Sequence, residues 1–261
     1  MEIVIIDEPE DVGPLGADAI AQHVVANPEA VLGLATGSSP LRVYQELGAR
    51  VARGELSLSR CQAFLLDEYV GLPAGHPEAY RTVIDREFCD LVDLDPANVH
   101  GLDGTAEDLL GECTRYESAI AAAGGIDVQL LGIGRDGHIA FNEPGSSLGS
   151  RTRVKTLTTQ TRLDNARFFG DDFHAVPLHC LTQGIGTISS ARHLVLIALG
   201  EPKAEAVHQL VEGPISALWP ATALQLHPHV TVLLDPAAAS RLQFGAYYRE
   251  AYRGKPSWQG F

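Results

Sequence analysis

The chain has no apolar run long enough to cross a membrane. Its opening stretch, MEIVIIDEPEDV, carries an acid at Glu2 and further acids soon after, with no basic region of the kind a secretion signal needs. A cytoplasmic location with no membrane partner is the expectation. Cysteine is sparse: Cys61, Cys89, Cys113 and Cys180 are scattered and form no CxxC pair, so neither a zinc site nor a disulfide framework is indicated. Positive charge is also short. Against 33 Asp and Glu there are 19 Lys and Arg, and the net charge of -14 opposes general binding to nucleic acid or anionic membrane. Any anionic ligand must then be held by local positive charge. No repeat or low-complexity linker divides the 261 residues, so residues 1–261 read as a single domain with a substantial core.

Short apolar runs rich in Val, Ile and Leu alternate with amphipathic stretches of helical length. EIVIID, AVLGLAT, QAFLLD, DVQLLGI, HLVLIALG and VTVLLD read as buried strands. SPLRVYQELGARVAR, PEAYRTVIDREFCDLV, TAEDLLGECTRYESAIAAA and PKAEAVHQLVEG read as helices. Such alternation predicts an α/β fold: a Rossmann-like parallel sheet with helices on both faces. The interval from about Glu143 to Thr187 shows no clear strand and reads as a lid segment.

Three strand ends carry polar chemistry. AVLGLAT runs into Gly37, Ser38, Ser39 and Pro40 before a helical pattern, which presents backbone N–H groups as a phosphate cradle. QAFLLD ends on the adjacent carboxylates Asp67 and Glu68, where an acid is commonly a helix cap or ion-pair partner rather than a catalyst. DVQLLGI runs into GRDGHIAFNEPGSS, which gathers Asp136, His138, Asn142 and Glu143 within eight residues. Beyond it, RTRVKTLTTQTRLDNAR holds Arg151, Arg153, Lys155, Arg162 and Arg167 against one acid, Asp164. Such a run reads as a solvated face or as an anion site, and its adjacency to the polar stretch favours the second.

Two alternatives lose on context. Gly132, Gly134 and Gly137 fit G-x-G-x-x-G, but Pro144 and Gly145 follow too soon for the long helix that a dinucleotide fingerprint opens. Asp136, His138 and Glu143 lack a second nearby histidine, and His227 and His229 read as structural, so no metal is called for. An Asp-x-His-x4-Glu arrangement suits an acid/base relay in which carboxylates orient the imidazole.

ATGSSP, LLDEYVGL with HPEAYR, GIGRDGHIAFNEPGSSLGSRTRVKTL, TRLDNARFF and LGEPKAEAV together resemble the glucosamine-6-phosphate deaminase family, from the first strand to at least Leu224. The turn departs slightly, reading ATGSSP where many relatives carry Pro-Thr-Gly and a later Thr-Pro, but Ser39 keeps a hydroxyl there. The resemblance implies conversion of glucosamine 6-phosphate and water to fructose 6-phosphate and ammonia, with no cofactor and no metal. It implies that Gly37, Ser38 and Ser39, with Arg167 and Lys203, hold the substrate phosphate. His138, oriented by Asp136 and Glu143, would open the pyranose ring, and Asp67 would move the proton from C2 to C1. It further implies a homo-oligomer in which Ser146, Arg153 and Lys155 bind the phosphate of an allosteric activator, N-acetylglucosamine 6-phosphate. Related 6-phosphogluconolactonases, which lack the DEYVGL and GHIAFNEP pair, and a catalytically silent sugar-phosphate sensor are the alternative readings.

Overall fold

In the structure, a computed structural model, residues 1–256 and 258–261 are described. The strands are β1 (Glu2–Ile5), β2 (Val31–Leu34), β3 (Gln62–Leu65), β4 (Asp67–Tyr69), β5 (Val99–His100), β6 (Val128–Leu131), β7 (Arg153–Thr156), β8 (His179–Thr182), β9 (His193–Ala198) and β10 (Val230–Leu234). Helices α1 (Val12–Ala26), α2 (Leu41–Ala52), α3 (Tyr80–Glu87), α4 (Leu109–Ala122), α5 (Thr159–Asn165), α6 (Ile185–Ile188), α7 (Ala204–Glu212) and α8 (Gly245–Arg253) connect them.

All six apolar runs become strands of one sheet. With β5 at its edge the order is β1-β10-β9-β6-β2-β3-β5, and every pairing is parallel. Pleating sends alternate residues to opposite faces. Ile3, Leu194 and Leu196 meet Tyr116 and Ile120 of α4 and Val207 and Leu210 of α7 on one side. Val4, Val195 and Ile197 meet Ile20 of α1 and Val43, Tyr44 and Leu47 of α2 on the other. Burial on both faces explains why these strands are continuously apolar rather than alternating.

The interval after Glu143 departs from expectation, because it holds two strands. β7 pairs antiparallel with β8, and β8 pairs antiparallel with β4, giving a second sheet of order β4-β8-β7. Only Leu66 separates β3 from β4, so the chain passes directly from the large sheet into the small one. Asp67 therefore lies just beyond the carboxyl end of β3 and also opens the second sheet. β7 is half-buried and reads RVKT, so it lacks the apolar signature by which the other strands are legible.

Candidate active site

Strand order reverses between β2 and β6: from β2 the chain goes on to β3 and β5, and from β6 it goes the other way to β9 and β10. A crevice must open outside the carboxyl ends of the strands at such a point. There lies a cavity of about 510 Å³ whose lining includes Gly37, Ser38, Ser39, Asp67, His138, Arg167 and Lys203.

The turn after β2 supplies one wall. Gly37 adopts φ +99, a conformation costly for any residue with a Cβ, and Pro40 leads into α2, whose first N–H groups have no partner within the helix. Across the cavity, the Lys203 Nζ donates to the carbonyl of Ile133 at 2.6 Å. Burial, and then the neighbouring Arg135 charge, hold its ammonium below the usual lysine range, with Arg167 adding to the effect. Lys203 and Arg167 thus line the cavity beside a helix N-terminus, with Arg135 outside it, an arrangement suited to a dianion.

The basic run divides between several tasks. Arg167 reaches the cavity. Arg162 donates instead to the carbonyls of Phe173 and Val176, and Arg151 pairs with Glu117, so both hold the backbone together. Arg153 and Lys155 lie two apart on β7 and project to the same side, outside the cavity lining. Ser146 is buried with its Oγ unpartnered, so no hydrogen bond joins it to either cation.

Asp67 is 6 % exposed, and among the described residues nothing donates a hydrogen bond to its carboxylate. Burial, and then the adjacent Glu68, push its proton affinity well above that of an ordinary aspartate. A buried carboxylate without donors is a stronger base than a solvated one. Glu68 is engaged elsewhere, accepting from the backbone N–H groups of Tyr69, Tyr80 and Arg81.

His138 sits in the turn after β6, where no long helix follows Gly132–Gly137. Two glycines there are forced: a Cβ on Gly134 would lie 2.3 Å from the His138 ring, and one on Gly137 would lie 2.7 Å from Trp219. Asp136 holds the imidazole, with its Oδ1 2.7 Å from Nδ1 and accepting the His138 backbone N–H at 3.2 Å. Burial opposes ionisation of Asp136, but the hydrogen bond and charge of His138 outweigh it and leave this carboxyl below its usual range.

Glu143 corrects the expected relay. Rather than touching His138, its carboxylate accepts from the backbone N–H of Thr158 at 3.2 Å, from the Thr158 hydroxyl at 3.1 Å, and from the Thr161 hydroxyl. It is thereby tied to the start of α5. That helix and the turn after it contribute Thr161, Asn165, Arg167, Phe168 and Phe169 to the lining. Sequence reasoning missed an aromatic wall as well: Tyr80 stacks on Phe141 at 5.8 Å, and Tyr69 lies against both. Tyr69 and Tyr80 stand inside the quoted motifs, but nothing local in the sequence marks their rings as lining a cavity.

Residues 11–233 match the family described as Glucosamine-6-phosphate isomerases/6-phosphogluconolactonase. Over 260 residues, and the full length of both chains, the sequence is 65 % identical to the glucosamine-6-phosphate deaminase of Beutenbergia cavernae and 64 % identical to that of Mycolicibacterium smegmatis. The solved structure of a monomeric glucosamine-6-phosphate deaminase, 43 % identical, superposes with TM-score 0.89 over 92 % of this chain and 99 % of the other. That of 6-phosphogluconolactonase from Trypanosoma cruzi, 21 % identical, gives 0.74 over 93 % and 97 % and shares the fold. With that extent of match, the chain belongs to the glucosamine-6-phosphate isomerase/6-phosphogluconolactonase family.

Proposed function

We propose that this protein is a glucosamine-6-phosphate deaminase, acting as one catalytic unit over residues 1–261 in the cytoplasm and needing neither cofactor nor metal. One observation carries the reading: a single cavity joins a phosphate cradle to two separate proton-handling groups, the buried Asp67 and the Asp136-held His138. The full-length identity to named deaminases supports it.

The phosphate is held by the Gly37-Ser38-Ser39 turn, Arg167 and Lys203, which places the sugar carbons over Asp67. His138 moves a proton between the anomeric hydroxyl and the ring oxygen, so the C1–O5 bond breaks and the open aldehyde forms. Asp136 keeps the ring oriented for that transfer. Asp67 takes the C2 proton; that electron pair becomes the C1–C2 double bond of a cis-enolamine as the carbonyl pair moves to O1, which takes a proton from solvent, and the same carboxyl then returns its proton to C1 as the nitrogen lone pair forms a C2–N double bond. One short, fixed base suits a transfer between adjacent carbons. Water then replaces nitrogen at C2 and ammonia leaves. Glu143 acts through α5, which with the following turn forms a lid over the substrate.

The cations left over on β7 support a second anion site. Arg153 and Lys155, with Ser146, bind the phosphate of N-acetylglucosamine 6-phosphate at a boundary between identical subunits and so activate the enzyme. A lactonase reading rests on the family description that both activities share and on a solved structure 21 % identical. Incubation with glucosamine 6-phosphate decides the function: ammonia and fructose 6-phosphate should appear in equal amounts, and the absence of both refutes it.

A further inference from the structure

Proton transfer at C2, as read above, leaves the second carboxylate of the Asp67-Glu68 pair without a task. Neighbours on a strand point to opposite sides, and here one side is the cavity and the other the start of α3. Glu68 is as buried as Asp67, at 6 % exposure, yet it is fully engaged. Its Oε1 accepts the backbone N–H of Tyr69 at 2.8 Å and of Tyr80 at 2.9 Å, and its Oε2 accepts that of Arg81 at 3.0 Å. Tyr80 and Arg81 are the first two residues of α3, whose own cap position, Ala79, offers no side-chain acceptor. A carboxylate on β4 thus caps a helix more than ten residues away, where the helix dipole favours negative charge.

What the cap holds is the active site itself. The Tyr80 ring lines the cavity, stacks on Phe141 and lies 4.9 Å from the Tyr69 ring, while the Tyr69 hydroxyl accepts from Asn165 at 2.9 Å. We propose, resting on the deaminase reading, that Glu68 is a positioning residue for proton transfer at C2: it locks Asp67 and the aromatic wall into one geometry and keeps a second negative charge behind the base.

The side chains packed on Asp67 from the elements around it carry no charge of their own. Tyr69 on its own strand, Tyr80 on α3, Tyr116 on α4 and Cys180 on β8 all face it, and burial pushes each of them further from ionisation. His138 stands across the cavity. Glu78, Arg86, Glu87, Asp164, Arg167 and Lys203 also line the cavity, but Glu68 is next to Asp67 on its own strand and acts toward greater proton affinity; burial raises the affinity of Glu68 as well, against the three backbone donors that hold its charge. A base that must first take a proton and then return it gains from such tuning.

Two variants test this. Glu68→Gln keeps an acceptor for Tyr69 and Tyr80 but turns an amide NH₂ toward the Arg81 N–H. Adding Ala79→Ser gives α3 a neutral cap of its own, which protects folding without restoring the charge. The double variant should keep KM within about twofold while kcat falls about tenfold at neutral pH, because substrate binding is spared and the base is weakened. The acid limb of its kcat/KM profile should move to lower pH. Carbon-13 resonances of labelled aspartate carboxyls, assigned through Asp67→Asn, should show Asp67 titrating at lower pH in both variants. Wild-type rates and an unmoved acid limb in the double variant would make Glu68 a mere helix cap and overturn the proposal. Should the wild-type protein release no ammonia, the deaminase reading fails by itself, and the carboxyl titration still decides: unmoved Asp67 refutes the coupling, and a downward shift sustains it.

Discussion

Acid should destabilise this protein through one histidine far from the cavity. His193 opens β9 and is 0 % exposed. Its Nδ1 lies 3.0 Å from His23 Nε2, its Nε2 lies 2.9 Å from Thr231 Oγ1, and the His229 ring stacks on it at 3.7 Å. Burial, then the nearby His229 and His23, push the imidazole down to about 3. A histidine depressed on folding binds its proton more tightly when unfolded, so its contribution to stability is full at neutral pH and drains away as pH falls between the two values. Each pH unit below the unfolded value of about 6.5 costs about 1.4 kcal/mol, so acidifying from about pH 7 to about pH 5 should remove roughly 2 kcal/mol through this residue. Urea unfolding of wild type and His193→Gln at both pH values measures it. Whatever the variant's starting stability, its loss on acidification should be smaller by that amount. Equal losses would show that His193 is not held neutral by the fold, and the reasoning would fail.

Asp67→Asn should cost about two or more decades in turnover and abolish exchange of the C2 proton with solvent, while a phosphate-bearing product analogue still binds. The same change should raise stability at neutral pH, since a carboxyl whose proton affinity rises on folding opposes folding once ionised. Lys203→Ala and Arg167→Ala should mainly raise KM, each removing one cation from a dianion, and added salt should weaken the remaining attraction; unchanged KM in both would refute the cradle. Arg153→Ala with Lys155→Ala should abolish activation by N-acetylglucosamine 6-phosphate, read as the loss of a lowered half-saturation, and leave basal turnover intact; sedimentation of the wild type as a monomer would remove the subunit boundary.

Elements that bury both faces were legible because burial writes itself into composition. VTVLLD and HLVLIALG admit little but a central strand. β5 was not legible, since Val99 and His100 are too few to carry a period. β7 and β8 escaped for a different reason: β8 takes its place beside β4, the polar triplet DEY more than a hundred residues earlier, and β7 is a strand only because it pairs with β8, so no local pattern announces either. The site divides the same way. Asp136 and His138 are two residues apart and find each other locally. Glu143, five residues beyond His138, looked like the third member of the same relay, yet its partners Thr158 and Thr161 are brought to it by the fold. The paired acids of LLDEY shared out both roles that the residue types allow, Asp67 facing the cavity and Glu68 capping a helix.

The pairing of β1 with β10 has a cost in time. Glu2–Ile5 is made more than two hundred residues before the strand it docks against, Val230–Leu234, and before α8, which lays Arg249 over the carbonyl of Ile5 and Asp7. At ordinary translation speeds the apolar run waits on the order of tens of seconds with an unpaired edge. A short β-prone segment in that condition invites pairing with other chains. Glu2 before it, and Asp7 and Glu8 after it, set like charges at both ends of the run, so two nascent copies repel where they would otherwise align. The acids that flank the first strand thus guard it through its long wait for a partner.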